Sequence, residues 1–406
     1  MGENIDVVVV GGGYAGVMAA NRLGKRDDVR VTVINPRPVF VPRLRLHQLV
    51  GGTHDAIVDY RDVLADGVRL VVDSVTRIDA AGRTAVLAEG GTVGYDHLIY
   101  AVGSEPARPT VPGAAEHAYP VATLEAARRL RSVLADTPAE AAVTVVGGGP
   151  TGIETAAELA ERGRAVTLVC GGDLGPYLHA RARRTARKYL AGLGVAVLEG
   201  TAVTSVTPEA VELGDRRTVP SRVTVWTAGF GVPDLAARSG LRTDAAGRLL
   251  TDETLTSVDD ERIVAAGDSS APSGVPFRMS AYAAGCLGAH AADTVLNRIA
   301  GDPAAPVDLA FPAMCLSFGR HTGIFQLARK NDVAIPLYFT GAAGRKLKEL
   351  ACESSVKHLV TEKDKPGAHH WFKDGKHRPR LLAARDDRTA RVELADGSRD
   401  EVAPSA

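Results

Sequence analysis

Two glycine-rich turns carry the most legible chemistry in this chain. Val7-Val8-Val9-Val10 runs into Gly11-Gly12-Gly13-Tyr14-Ala15-Gly16, and Val143-Thr144-Val145-Val146 runs into Gly147-Gly148-Gly149-Pro150-Thr151-Gly152. Each satisfies G-x-G-x-x-G between an apolar strand and an alanine-rich helix pattern, the context that gives the spacing its meaning. The first glycine permits a tight turn, the second lets backbone approach a pyrophosphate, and the third lets the helix pack on the strand. The helix start then offers free N–H groups and a positive dipole end to the anion. Two such turns imply two dinucleotides, which points to a flavin and a nicotinamide handled by one protein.

The elements that must position these turns repeat along the chain. Strand 5–10, a helix from Tyr14 to Leu23 and a strand from Val29 to Ile34 form one βαβ unit, followed by a β-rich stretch from Val68 to Val93. The run Leu98-Ile99-Tyr100-Ala101-Val102-Gly103 is an apolar strand that ends on glycine, which suits backbone lying against a bound group. Pro106, Pro109 and Pro112 mark a crossing into a second unit of the same design. It has helix Leu124–Leu134, strand 142–146, helix Thr151–Arg162, strand Ala165–Val169 and a helix from His179 to Leu190. The strand Val223–Trp226 leading to Gly229 echoes the ending at Gly103 and returns the chain to the first unit. Arg262–Asp268 and a helical pattern over Met279–Ile299 complete that unit, and Pro303 and Pro306 open a C-terminal module. There the basic segment Arg345–Val360 has helical propensity with weak amphipathicity, and Thr389–Leu394 has strand character. The expected fold is α/β, with two Rossmann-like dinucleotide-binding domains and a smaller C-terminal α+β module. Residues 1–112 with 232–303 form the flavin domain, 113–231 the inserted nicotinamide domain, and 304–406 the module.

Bulk composition narrows the function classes. The chain has 406 residues, enough for two or three cores, with 45% apolar and 24% charged residues, as in soluble globular proteins. A formal charge of zero gives no bias toward polyanions, so nucleic acid is not an expected partner. Residues 320–380 nevertheless hold 13 Lys/Arg against 6 Asp/Glu. The start Met1–Asp6 lacks a cationic n-region, and no run has the length and apolarity of a membrane span, so a cytoplasmic protein is expected. Cys170, Cys286, Cys315 and Cys352 form no C-x-x-C, so neither a disulfide framework nor a redox dithiol is indicated. His369-His370 and His377 read as loop histidines in a basic tail rather than as metal ligands, and no metal is expected.

The ordered set of first fingerprint, Tyr95-Asp96-His97-Leu98-Ile99-Tyr100-Ala101-Val102-Gly103, second fingerprint with Glu154, and Ala266-Gly267-Asp268 resembles the two-dinucleotide flavoproteins over residues 5–300. Within these, Pro42–Leu49 and Gly319-Arg320-His321-Thr322-Gly323 are most similar to the type II NADH:quinone dehydrogenases and their actinobacterial relatives. The resemblance implies FAD and NAD(P)H as cofactors and hydride transfer to flavin N5, with a quinone-like small molecule as electron acceptor. It implies that Gly11, Gly13, Tyr14, Ala15, Gly16, Asn35, Arg43, Gly103, Asp268 and Ala281 bind FAD. It likewise implies that Gly147, Gly149, Thr151, Gly152 and Gly229 bind the nicotinamide cofactor. Asp268 would hold the ribitol, because a carboxylate accepts hydrogen bonds from two hydroxyls. Glu154, in the first turn of its helix, would lie beside nicotinamide and flavin as the catalytic residue. Arg45 and His47 read either as neighbours of the flavin or Glu154, or as a surface arginine and a core histidine.

Several positions depart from the pattern. The acid expected about twenty residues after each fingerprint is Asn35 in the first unit and Cys170 in the second. Asn35 still offers an amide oxygen to a ribose hydroxyl, whereas Cys170 neither holds a 2′-hydroxyl nor repels a 2′-phosphate, leaving NADH and NADPH open. Arg181, Arg183 and Arg184 could reach a 2′-phosphate, but they read mainly as a solvated helix face. The glutamine pair of type II dehydrogenases falls on Cys286 and Leu287, with Cys286 expected as a small core residue. That change keeps two other functions open: reduction of a protein such as a ferredoxin or of a specialised metabolite, and nucleotide sensing without catalysis. The basic C-terminal helix is expected to pack on the flavin domain or on a second copy in a homodimer. Membrane contact is expected to be peripheral and salt-sensitive at most.

Overall fold

A computed structural model describes residues 4–385, and the strand expected at Thr389–Leu394 lies outside the described residues. Two five-stranded parallel sheets dominate. In the first the spatial order is Ile263–Ala265, His97–Tyr100, Ile5–Val10, Val29–Asn35, Arg69–Val72. In the second it is Ala118–Pro120, Val223–Trp226, Ala142–Val146, Ala165–Val169, Ala196–Leu198. In both sheets the fingerprint strand is central. Covered on both faces, such strands must be apolar throughout, which is why Val7–Val10 and Val143–Val146 read as nearly unbroken valine. Each unit also carries a three-stranded antiparallel sheet, over residues 75–94 in the first and 203–220 in the second.

The chain crosses between the units twice, and the crossings are paired. Glu105–Pro106, on the way out, bonds antiparallel to Phe230–Gly231, on the way back. Gly229 sits at this crossing with φ +80°, beside Ala107.

The first fingerprint helix, Tyr14–Leu23, packs along the helix Ala281–Ala300. Their approach is set by small residues: a Cβ at Gly288 would collide with the Ala15 carbonyl, and one at Gly267 would sit 3.0 Å from the Ala15 Cβ. The C-terminal module is α+β, with strands Ala313–Phe318, Thr322–Ala328 and Ala334–Thr340 in one antiparallel sheet. It ends in the helix Gly341–Asp364. Leu316, Phe318 and Ile324 of the sheet join the core of the second unit, while Leu359 of the helix joins that of the first. The module therefore bridges the two.

The basic C-terminal helix does pack on the first unit, but its buried face is not the one that spacing suggests. Gly344, Lys348, Cys352, Leu359 and Glu362 point inward, while Leu350 is 57% exposed. Lys348 is thus no surface cation. His369 is also buried, with its ring between His358 and Trp371, whereas His370 is exposed. Among the described residues no helix is long and apolar enough to cross a membrane, and no three His, Cys, Asp or Glu side chains gather as a metal site.

Candidate active site between the two fingerprints

The three glycines of each turn meet different demands. Gly11 and Gly147 have φ +104° and +126°, which L side chains rarely adopt. A Cβ at Gly16 would strike the Gly11 carbonyl, and one at Gly152 the Gly147 carbonyl, so these glycines are fixed by the protein's own packing. The middle glycines are not. Gly13 (φ −82°, ψ −165°) and Gly149 (φ −79°, ψ 179°) are extended, and a Cβ on either would have nothing within 4 Å. Each opens a helix with no side-chain cap and no acidic residue in its first turn. Backbone N–H groups at these two starts face open cradles that a side chain would fill, a shape and polarity that fit a diphosphate.

The first turn is held rigid around its cradle. Gly12 N–H donates to Asn35 Oδ1 at 3.0 Å, and Tyr60 donates its hydroxyl to the Gly12 carbonyl at 2.8 Å. Asn35 therefore spends one acceptor position of its amide oxygen on the turn. Tyr14 packs edge-on against Phe40 and its hydroxyl lies 3.2 Å from Ser355, so its side chain ties the turn to the C-terminal helix. In the second turn Cys170 fills the space beside Gly148, and the Gly148 carbonyl accepts from Gly175 N–H. Thr151 is half-buried in the first helical turn.

At the carboxyl ends of the first sheet, Arg43 donates to the Ser104 carbonyl at 2.9 Å and lies 3.0 Å from its hydroxyl. Ser104 in turn donates to Asp268 Oδ2 at 2.7 Å. Burial pushes the Asp268 carboxyl up, with Ser104 and Arg43 opposing. Gly103, with φ +71° and open space at its Cβ position, lies beside this group. Ala281 follows Ser280, whose hydroxyl caps the helix by accepting from Ala283 N–H. Ser104 escaped the sequence reading because it carries no motif.

Glu154 sits five residues into its helix, in the second turn rather than the first, and is only 6% exposed. Its Oε1 accepts from Lys348 Nζ at 2.9 Å, from Ser317 N–H at 2.9 Å and from the Ser317 hydroxyl at 3.1 Å. His47 Nδ1 lies 3.8 Å from Oε2, and its Nε2 lies 3.4 Å from the Ser317 hydroxyl. Burial alone would push the Glu154 carboxyl up, but the Lys348 charge and the Ser317 hydrogen bonds outweigh it and hold the group below its ordinary value. Burial opposes the Lys348 charge too, yet the Glu154 carboxylate raises its affinity for the proton. His47, 3% exposed, is pushed down to about 4 by burial and is neutral at pH 7. Arg45 is buried as well, and pairs with Glu349 at 2.5 Å and Gln48 at 3.1 Å. Of the two open readings, a core-lining histidine next to Glu154 is what the structure shows, while Arg45 is not a surface residue. Cys286 is buried, its thiol pushed up to about 12 by desolvation, and its Sγ lies 3.9 Å from His369.

Residues 5–285 match the pyridine nucleotide-disulphide oxidoreductase family, well over half of the chain. The chain belongs to this family. It is 33% identical over 294 residues to the NADH dehydrogenase-like protein Rv1812c of Mycobacterium tuberculosis, covering 65% of this chain and 72% of that one. It is 26% identical over 363 residues to the type II NADH:quinone oxidoreductase of Staphylococcus saprophyticus, covering 78% of this chain and 88% of that protein. The fold is similar to that of the sulfide:quinone oxidoreductase from Aquifex aeolicus, with a TM-score of 0.75 at 20% identity over 89% of this chain and 93% of the other. As a pyridine nucleotide-disulphide oxidoreductase family member the protein is an NAD(P)H-dependent flavoprotein oxidoreductase whose cofactors are FAD and NAD(P)H. The two cradles at Gly13 and Gly149 fit the diphosphates of these cofactors.

Proposed function

We propose that the protein passes reducing equivalents from NAD(P)H by way of FAD to a quinone-like acceptor. The observation that carries this reading is the pair of middle glycines, which the fold would let carry a side chain and which are suited instead to two diphosphates. In this reading residues 1–112 with 232–303 bind FAD through Gly11, Gly13, Gly16, Asn35, Arg43, Gly103 and Asp268, with Tyr14, Ala15 and Ala281 alongside. Residues 113–231 bind NAD(P)H through Gly147, Gly149, Thr151, Gly152 and Gly229, and residues 304–406 form the C-terminal module.

Bound FAD supplies the two-electron chemistry that links nicotinamide to acceptor. The chain's own residues orient the two cofactors. Hydride donation needs no general base, which accords with the absence of a Ser/His/Asp constellation in the sequence. Lys348 keeps its proton at Nζ, held there by the Glu154 carboxylate, so the pair is a fixed buried charge pair enclosed by Ser317 and neutral His47. A quinone as the acceptor is supported by the similarity to the Staphylococcus saprophyticus type II NADH:quinone oxidoreductase. Exposed Leu337 and Phe339, 54% and 45% accessible, would allow weak contact with a membrane that holds such an acceptor.

Anaerobic mixing of the FAD-loaded protein with NADH and with NADPH tests the first half: the flavin absorbance should bleach. Steady-state turnover with a soluble quinone and with a ferredoxin tests the second. Turnover on ferredoxin but on no quinone would replace the small-molecule acceptor by a protein.

A further inference from the structure

The turn after the second strand of a dinucleotide-binding unit reads the adenine ribose, with an acid there selecting NADH and an arginine accommodating the NADPH 2′-phosphate. In this chain that turn is Cys170-Gly171-Gly172-Asp173. Cys170 is fully buried against Gly148, so it presents no charge to a ribose. Gly171 and Gly172 have nothing within 4 Å of a Cβ position and leave room beside the strand end.

Two ion pairs flank this space. Arg183 and Arg187, one turn apart on the helix Ala180–Gly192, face it, while Arg181 and Arg184 are exposed. Arg183 pairs with Asp173, and Arg187 grips Glu199 through both oxygens at 2.5 and 2.8 Å. Glu199 is next to Cys170, because Leu198 pairs with Val169, and it is the obvious substitute for the missing acid. It is not free for that task, since Oε2 also accepts from Leu174 N–H. Asp173 differs. Its side chain is 63% exposed, and among the described residues only Oδ2 is engaged, by Arg183. Oδ1 remains for a 2′-hydroxyl, and a 2′-phosphate can displace Asp173 from Arg183, which a charge-assisted, bidentate contact favours.

We propose that the Asp173–Arg183 pair makes the protein accept NADH and NADPH with comparable affinity, with Asp173 reading the 2′-hydroxyl and Arg183 the 2′-phosphate. This rests on the assignment of the Gly147–Gly152 turn to the nicotinamide cofactor. Calorimetric titration of the FAD-loaded protein with 5′-AMP and with adenosine 2′,5′-bisphosphate tests it without turnover. The two dissociation constants should agree within about tenfold. Arg183→Ala should weaken the bisphosphate by about tenfold or more while leaving 5′-AMP within about twofold, and Arg183→Lys should restore part of the loss. A wild-type preference of about a hundredfold either way would overturn the proposal, as would equal weakening of both probes by Arg183→Ala. Flavin bleaching by neither NADH nor NADPH would instead remove the nicotinamide assignment itself, and the proposal with it.

Discussion

Gly13 and Gly16 stand three residues apart in one turn, yet substitution by alanine should fail in opposite ways. At Gly16 the new Cβ would collide with the Gly11 carbonyl, so Gly16→Ala must displace the turn or the helix. At Gly13 the backbone is extended and the site open, so the protein alone accepts the methyl group. A Gly→Ala change in a compatible conformation tends to stabilise by about 0.4–1 kcal/mol, through the unfolded chain. The cost falls on the cofactor. A methyl group there pushes a diphosphate off the helix start and removes two N–H bonds to a charged group, each worth about 1.5–3 kcal/mol. That amounts to about 3–6 kcal/mol, or roughly a hundredfold to ten-thousandfold in FAD affinity. The assay is the FAD-to-protein ratio after dialysis, together with the thermal unfolding of the apoprotein. Gly13→Ala should be folded and colourless, with an apoprotein as stable as wild type; Gly16→Ala should be poorly folded. A Gly13→Ala protein that keeps stoichiometric FAD through dialysis would refute the assignment of this cradle.

Three further outcomes are expected. Lys348→Met leaves the Glu154 carboxylate buried with, among the described residues, only Ser317 as donor, a loss of about 3–5 kcal/mol of the kind seen when one partner of a buried pair is removed. The double variant with Glu154→Gln should recover much of that stability; a double variant no more stable than Lys348→Met would contradict the reading of a buried, mutually dependent charge pair. His47 and His369 are each pushed down to about 4 by burial, against an ordinary value of 6.5. The stability they contribute is complete above pH 6.5 and declines as pH falls toward 4, by about 1.4 kcal/mol per unit for each histidine. Urea midpoints should drop between pH 6.5 and 5 and drop less in His369→Gln; a flat profile over that window contradicts neutral burial. Sedimentation with anionic liposomes should show weak binding that high salt abolishes, because the inward face of the C-terminal helix is already occupied; salt-resistant binding would require an apolar surface larger than Leu337, Phe339 and Leu350 provide.

What the sequence alone determined is what local geometry enforces. A glycine at positive φ, an apolar strand before it and a helix after it constrain one another within about ten residues, so both fingerprints, their strands and their helices were legible, and so was the repeat that makes two units. The chain order of the motifs also suggested the insertion of one unit in the other, and the pairing of Glu105–Pro106 with Phe230–Gly231 gives that crossing its physical form. The tertiary structure decided the rest, because it depends on which distant surfaces meet. Glu154, Ser317 and Lys348 come from a fingerprint helix, a hairpin strand and the last helix, and no periodicity links them. Lys348 and Glu362 sit in the buried stripe of the C-terminal helix, so the polarity of the partners that packing makes necessary erased the amphipathic signal. Likewise only their partners, Asp173 after Cys170 and Glu199 after the neighbouring strand, separate Arg183 and Arg187 from the solvated arginines beside them, since all four look alike in a helix with charge on every turn.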